Sequence, residues 1–232
     1  MTIKVKEQMS THRKAAIIVG VLYIIGTVAG ALSLSGQKHV DSPDYLTAVS
    51  ANENQIIIGA LMILIMGFAL AMMSVVLYPI LKIHNEALAL GVVIFRGALE
   101  AVTYIVAVVC WLLLLALSQE YVKAGAPDAS HFQTLGILLL ETDVSNAHMM
   151  EIVFSLGALM INYVFYQSKL IPRWLSVWGL VGGIFYLAFP LLAMFGFEFE
   201  ILFAPLALQE MVLAVWLIVK GFNSKALELG SE

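Results

Sequence analysis

The chain has 232 residues, of which 61% are hydrophobic and 12% charged, and its mean hydropathy is +0.94. A water-soluble domain is roughly 45–50% apolar and about 25% charged, so this chain lacks the polar residues to cover a core of its size in water. A net charge of −4 with a pI near 5.7 excludes a basic nucleic-acid binder, and a single cysteine excludes a disulfide scaffold. The composition is that of a multi-pass membrane protein whose first partner is the lipid bilayer.

A bilayer core of about 30 Å needs roughly 20 apolar helical residues to cross it. Six stretches qualify, at residues 15–35, 55–81, 88–117, 144–166, 174–195 and 201–219. The first follows the basic pair Arg13-Lys14 as a signal peptide would. Its apolar run is too long for one and no Ala-x-Ala site closes it, so it reads as a retained helix. No connection is long enough for a separate soluble domain. The organisation is a cytoplasmic segment (1–14), a six-helix membrane domain (15–220) and a cytoplasmic tail (221–232).

Basic residues in the short loops set orientation. With the N-terminus inside, Lys4, Lys6, Arg13, Lys14, Lys82, Lys169, Arg173, Lys220 and Lys225 fall inside, against Lys38 and Lys123 outside. Both termini are therefore expected in the cytoplasm. Tyr78, Tyr166, Trp174, Trp178 and Trp216 fit an inner aromatic belt, and Trp111 and Tyr121 an outer one. The outer loops are acidic, with Asp41, Asp44, Glu53, Glu120, Asp128, Glu198 and Glu200.

Short interfacial helices are expected in the outer loops. Ser42-Pro43 offers an N-cap followed by a proline at the first helical position, which would lay Leu46 and Val49 on the membrane surface. Ser50-Ala51-Asn52-Glu53 has capping-box spacing and would start the second span; Ser130-His131-Phe132-Gln133 repeats it. One helix from Ser130 through Tyr166 would reach about 55 Å. That exceeds the hydrocarbon, so residues 132–140 are expected to form a separate interfacial or re-entrant helix. Glu141-Thr142-Asp143 would be its polar joint, with a long projecting helix as the alternative. Gly26 and Gly30 with Ala16 and Gly20, and Gly179, Gly182 and Gly183, mark faces for close helix packing. Pro190 and Pro205 are candidates to kink the last two spans.

Charge inside the spans is the most informative feature. The third holds Arg96 and Glu100, the fourth Asn146, His148 and Glu151, and the sixth Gln209 and Glu210. Insertion scales set roughly 2.5–3.5 kcal/mol against each ion at mid-bilayer, while each Leu or Ile returns only about 0.3–0.6 kcal/mol. Such groups therefore turn inward and find partners. Arg96 lies about 12 Å from the inner end of its helix, Glu100 about 18 Å and Glu210 about 15 Å. Arg96 and Glu100 share a face at i,i+4. An arginine fork can hold two carboxylates, so Arg96 is expected between Glu100 and Glu210. Glu151 lies higher, with His148 near the outer interface, on a polar stripe with Glu141, Ser145 and Ser155 that reads as the wall of an outward-opening cleft.

These residues carry three readings. Arg96, Glu100, Gln209, Glu210, Glu151 and His148 could bind a small molecule or ion. His148 and Glu151 with Glu100 and Glu210 could instead hold a divalent metal in an intramembrane enzyme. The buried pair could also simply fix which helices meet, as in a sensor or accessory subunit. No H-E-x-x-H motif, P-loop or Gly-x-Ser-x-Gly elbow is present, so the residues lean away from an enzyme, and neither a metal nor a cofactor is expected.

Several segments carry a family resemblance. They are Phe95-Arg96-Gly97-Ala98-Leu99-Glu100, the stretch from Leu170-Ile171-Pro172-Arg173-Trp174 to Trp178-Gly179, and the closing stretch from Ala207-Leu208-Gln209-Glu210 to Lys220-Gly221-Phe222-Asn223. Tyr78-Pro79 and Leu117-Ser118-Gln119-Glu120-Tyr121 add to them. Through these the chain resembles a bacterial membrane family known as domain of unknown function 4386. The resemblance implies a bacterial cytoplasmic membrane and supplies no activity. The family's F-R-x-x-x-E and A-L-Q-E stretches fall on Arg96, Glu100, Gln209 and Glu210, whereas His148 and Glu151 lie outside any matched segment. The reading is an all-α six-helix membrane bundle that binds or passes a small solute at the Arg96–Glu100–Glu210 site, its oligomeric state open.

Overall fold

The computed structural model describes residues 2–125, 129–197 and 199–229. Among them are nine α-helices and no strand: α1 (Thr2–Val40), α2 (Tyr45–Ala51), α3 (Glu53–Leu81), α4 (Glu86–Val92), α5 (Glu100–Lys123), α6 (Ala129–Ser168), α7 (Arg173–Ala193), α8 (Ala204–Val219) and α9 (Ser224–Leu229). A π-helical segment, Val93–Leu99, joins α4 to α5 without a break, and a 3-10 turn, Glu200–Phe203, leads into α8. Six helices are long and apolar enough to cross a membrane. Their outer faces expose large apolar side chains such as Leu32, Leu61, Val102, Ile184 and Leu208, which suit lipid contact.

The six spans form a ring. Each packs on its neighbours in chain order, and α1 closes the ring against α8. One end, the basic end, carries Arg13, Lys82, Lys169, Arg173 and Lys220. The other, the acidic end, carries Asp41, Asp44, Glu53, Glu120 and Glu200. The α1–α8 closure is fastened by Arg13, whose guanidinium donates to the Leu217 carbonyl at 2.8 Å and the Ile218 carbonyl at 2.5 Å. These carbonyls end α8 and have no intrahelical donor, so a cation there satisfies them and opposes the helix dipole.

Three expectations for the acidic end are corrected. First, α6 is one uninterrupted helix of 40 residues, about 60 Å long. Its polar joint does not break it, because its groups are satisfied in place. The Thr142 hydroxyl donates to the Leu138 carbonyl at 2.7 Å, and Asp143 accepts from the Trp111 indole at 3.1 Å. The added length runs along α5, with Phe132 edge-on to Tyr121. The Ser130 side chain proposed as its cap lies outside the described residues.

Second, α2 starts at Tyr45 rather than after Ser42-Pro43, and Leu46 and Val49 are buried in the bundle, not laid on the membrane. Partial burial raises the Tyr45 phenol above its ordinary pKa, so it stays protonated and donates to the Gln133 carbonyl at 3.2 Å, tying α2 to the α6 extension. Third, α3 has no capping box. Asn52 occupies the cap position, and its amide donates backward to Ala48 at 2.8 Å. At the sixth span Pro205 does not kink the helix; it sits in the first turn of α8, where no backbone donor is needed.

Candidate functional site

Arg96 lies at the centre of the ring with 1% of its surface exposed. The helix carrying it is locally widened, and the Glu100 N–H reaches back to the Phe95 carbonyl in an i→i+5 bond. Single π turns of this kind are frequent at functional sites. The widening coincides with the close approach of α6. At Gly157 an added Cβ would stand 2.9 Å from the Arg96 Cβ and 3.1 Å from its backbone nitrogen, so only glycine fits.

The guanidinium forks. Nη1 donates to both oxygens of Glu100 at 3.1 Å, and Nη2 donates to Glu210 Oε1 at 2.7 Å. The Tyr104 hydroxyl, one turn beyond, donates to Glu100 Oε1 at 3.1 Å. Phe154 covers the guanidinium face at 4.0 Å and Tyr23 approaches it at 5.9 Å. Arg96 Nε has no acceptor among the described residues. Four elements (α1, the π segment with α5, α6 and α8) therefore meet at one cation and two carboxylates.

The other three site residues lie apart. Gln209 is fully buried on a neighbouring face of α8, donating to Asn162 Oδ1 and to the Leu175 carbonyl, both at 3.2 Å. It ties α8 to α6 and α7, and Gly179 makes room for Asn162, whose side-chain oxygen would collide with a Cβ there. His148 and Glu151 pair with each other, Nδ1 to Oε2 at 3.1 Å. Between them and Arg96 run aromatic contacts: His148 to Phe189, Phe189 to Phe203, Phe203 to Tyr186, and Tyr186 to Phe154. Among the described residues no three His, Cys, Asp or Glu side chains gather closely enough to hold a metal.

A cavity of about 170 Å³ lies between α1, α3, α5 and α6, lined by Ser33, Gln37, Thr103, Tyr104, Trp111, Asp143 and Asn146 with Ile63, Met66, Ala107, Ala147 and Met150. Its wall contains a carboxylate and two aromatic rings and no cation. Asn146 donates to the Thr103 carbonyl at 2.9 Å, which holds α6 against α5 beside it. Tyr104 belongs to both the cavity and the Arg96 cluster, so one side chain links this vestibule to Glu100. Sequence reasoning named Trp111 only as a belt residue and Asp143 only as a joint. For Asp143 the spacing with Asn146 and Met150 at helical intervals along α6 was the available signal; nothing in the sequence tied Trp111 on α5 to them.

The family model described as "Domain of unknown function (DUF4386)" matches residues 18–221. The chain belongs to this family. The matched region takes in all six site residues and the whole vestibule. No curated protein and no solved structure matches the chain.

Proposed function

We propose that this family member binds, and passes, a small cationic solute or proton between the vestibule and the Arg96–Glu100–Glu210 cluster. One observation carries the reading. Two carboxylates face a single buried guanidinium, and Tyr104, which bonds one of them, Glu100, also lines a cavity that holds the Asp143 carboxylate and no cation. When all three groups are ionised one negative charge is uncompensated, which is costly at such a site unless a cation or proton joins it. Asp143 beside Trp111 and Tyr104 provides a carboxylate and π-faces, the pairing that attracts an ammonium group. The cavity compares with the roughly 150 Å³ that accommodates benzene in an engineered core. In this reading the protein lies in the bacterial cytoplasmic membrane with both termini in the cytoplasm, as the Lys and Arg bias supports, so the vestibule faces outward.

The metal-dependent alternative has no support in the geometry, since among the described residues His148 and Glu151 do not gather with Glu100 and Glu210 into a group that could hold a metal. The test is uptake of radiolabelled methylammonium into liposomes containing the purified chain. Saturable uptake above protein-free liposomes is expected, reduced at least tenfold in Glu210→Gln. No uptake, or a Glu210→Gln variant that matches the wild type, overturns the reading. A folded Arg96→Met/Glu100→Gln/Glu210→Gln variant with full uptake would make the cluster purely structural.

A further inference from the structure

The basic end carries a second, unrelated feature. A cleft of about 490 Å³ opens between the α6–α7 and α8–α9 connections, with Lys169, Arg173 and Lys220 around it and Trp216 in its wall. No carboxylate lines it, and among the described residues none of the three cations forms an ion pair. Arg173 is steadied by the Tyr166 ring, 5.2 Å away. The two connections are fixed to each other. The Asn223 N–H donates to the Leu170 carbonyl at 2.9 Å and its side-chain amide to the Lys169 carbonyl at 3.3 Å. The cleft is thus built from pinned backbone, with three cationic residues in its lining.

A groove of about 430 Å³ adjoins it and shares Trp216 and Lys220. Its other walls are Met211, Val212, Val215 and Val219, on one face of α8. From 211 to 219 the helix rises about 12 Å, close to the depth of one hydrocarbon leaflet, about 15 Å. A cationic cleft at the end of the bundle that continues into an apolar track of leaflet length has the two-part chemistry of a phospholipid.

We propose that this composite site holds one anionic glycerophospholipid, its phosphate among Lys169, Arg173 and Lys220 and one acyl chain along α8. Basic pockets at the membrane surface favour anionic headgroups, and a zwitterionic headgroup brings an ammonium that the same three cations repel. The inference is independent of the central cluster and of what it binds.

Native mass spectrometry of the detergent-purified full chain tests it, with phosphatidylglycerol and phosphatidylcholine of identical acyl chains as probes. A one-to-one phosphatidylglycerol adduct is expected to persist at least fivefold more than phosphatidylcholine. It should fall to the phosphatidylcholine level in Lys169→Gln/Arg173→Gln/Lys220→Gln. Equal retention of the two lipids, or full retention by the variant, overturns the proposal. Displacement of phosphatidylglycerol by millimolar inorganic phosphate would make the cleft a soluble-anion site and overturn it as well. The wild-type chain gives a readout independent of the variant's folding. Bromine-labelled phosphatidylglycerol in vesicles should quench tryptophan fluorescence at least threefold more than the brominated phosphatidylcholine, and equal quenching counts against the site.

Discussion

Two side-chain pairs sit inside the spans, and the bundle treats them differently. Arg96 and Glu100 are four residues apart, His148 and Glu151 three, and each pair bonds along its own helix at 3.1 Å. The first meets a carboxylate from α8 and is sealed, with both side chains at 0% exposure. The second meets the ring of Phe189 and keeps 19% and 12%. Spacing along one helix makes a pair. A charge delivered by a second helix turns it into a junction that the fold depends on.

The strongest way to break this contrast is to remove the junction's cation. Arg96→Met leaves Glu100 and Glu210 buried without their partner, and loss of one member of a buried pair costs about 3–5 kcal/mol. Denaturant titration of the detergent-solubilised variant should register that loss. Adding Glu100→Gln and Glu210→Gln should recover most of it, and a single variant as stable as wild type would show that the three groups do not act together.

Gly157→Ala probes the same junction from α6. Helix propensity alone predicts a gain of about 1 kcal/mol, whereas overpacking typically costs about 1–3 kcal/mol. The contact is with Arg96 backbone and Cβ, which cannot swing away, so net destabilisation by the same titration is expected. A stabilised variant would mean that α6 does not approach Arg96 so closely. The smallest effect belongs to the second pair: His148→Gln, which ends no helix-to-helix bond, should change stability by about 1 kcal/mol or less. A loss as large as that of Arg96→Met would erase the distinction.

The spans and the membership of the central cluster were legible because both follow from rules of distance. Twenty apolar residues measure a bilayer, and 1.5 Å per residue places Arg96, Glu100 and Glu210 at one height. The π segment was not legible, since nothing in Val93 to Leu99 demands widening until Gly157 on α6 is pressed against it. The continuity of α6 was hidden for a related reason. Glu141-Thr142-Asp143 looks like a break when solvent is the only available partner, and Trp111 on α5 supplies another. Arg13 registered only as one more cytoplasmic cation, although its position in the ring lets it cap the last carbonyls of α8.

That last contact has a bearing on biogenesis. Arg13 waits for carbonyls 204 to 206 residues downstream, and Arg96 waits for a carboxylate 114 residues later. At translation rates of about 5–20 residues per second, the Arg96–Glu100 pair spends on the order of ten seconds in the bilayer before Glu210 is synthesised. Inserting as a neutral pair on a single helix is what makes that interval tolerable, and the ring becomes a ring only when its newest helix docks against its oldest.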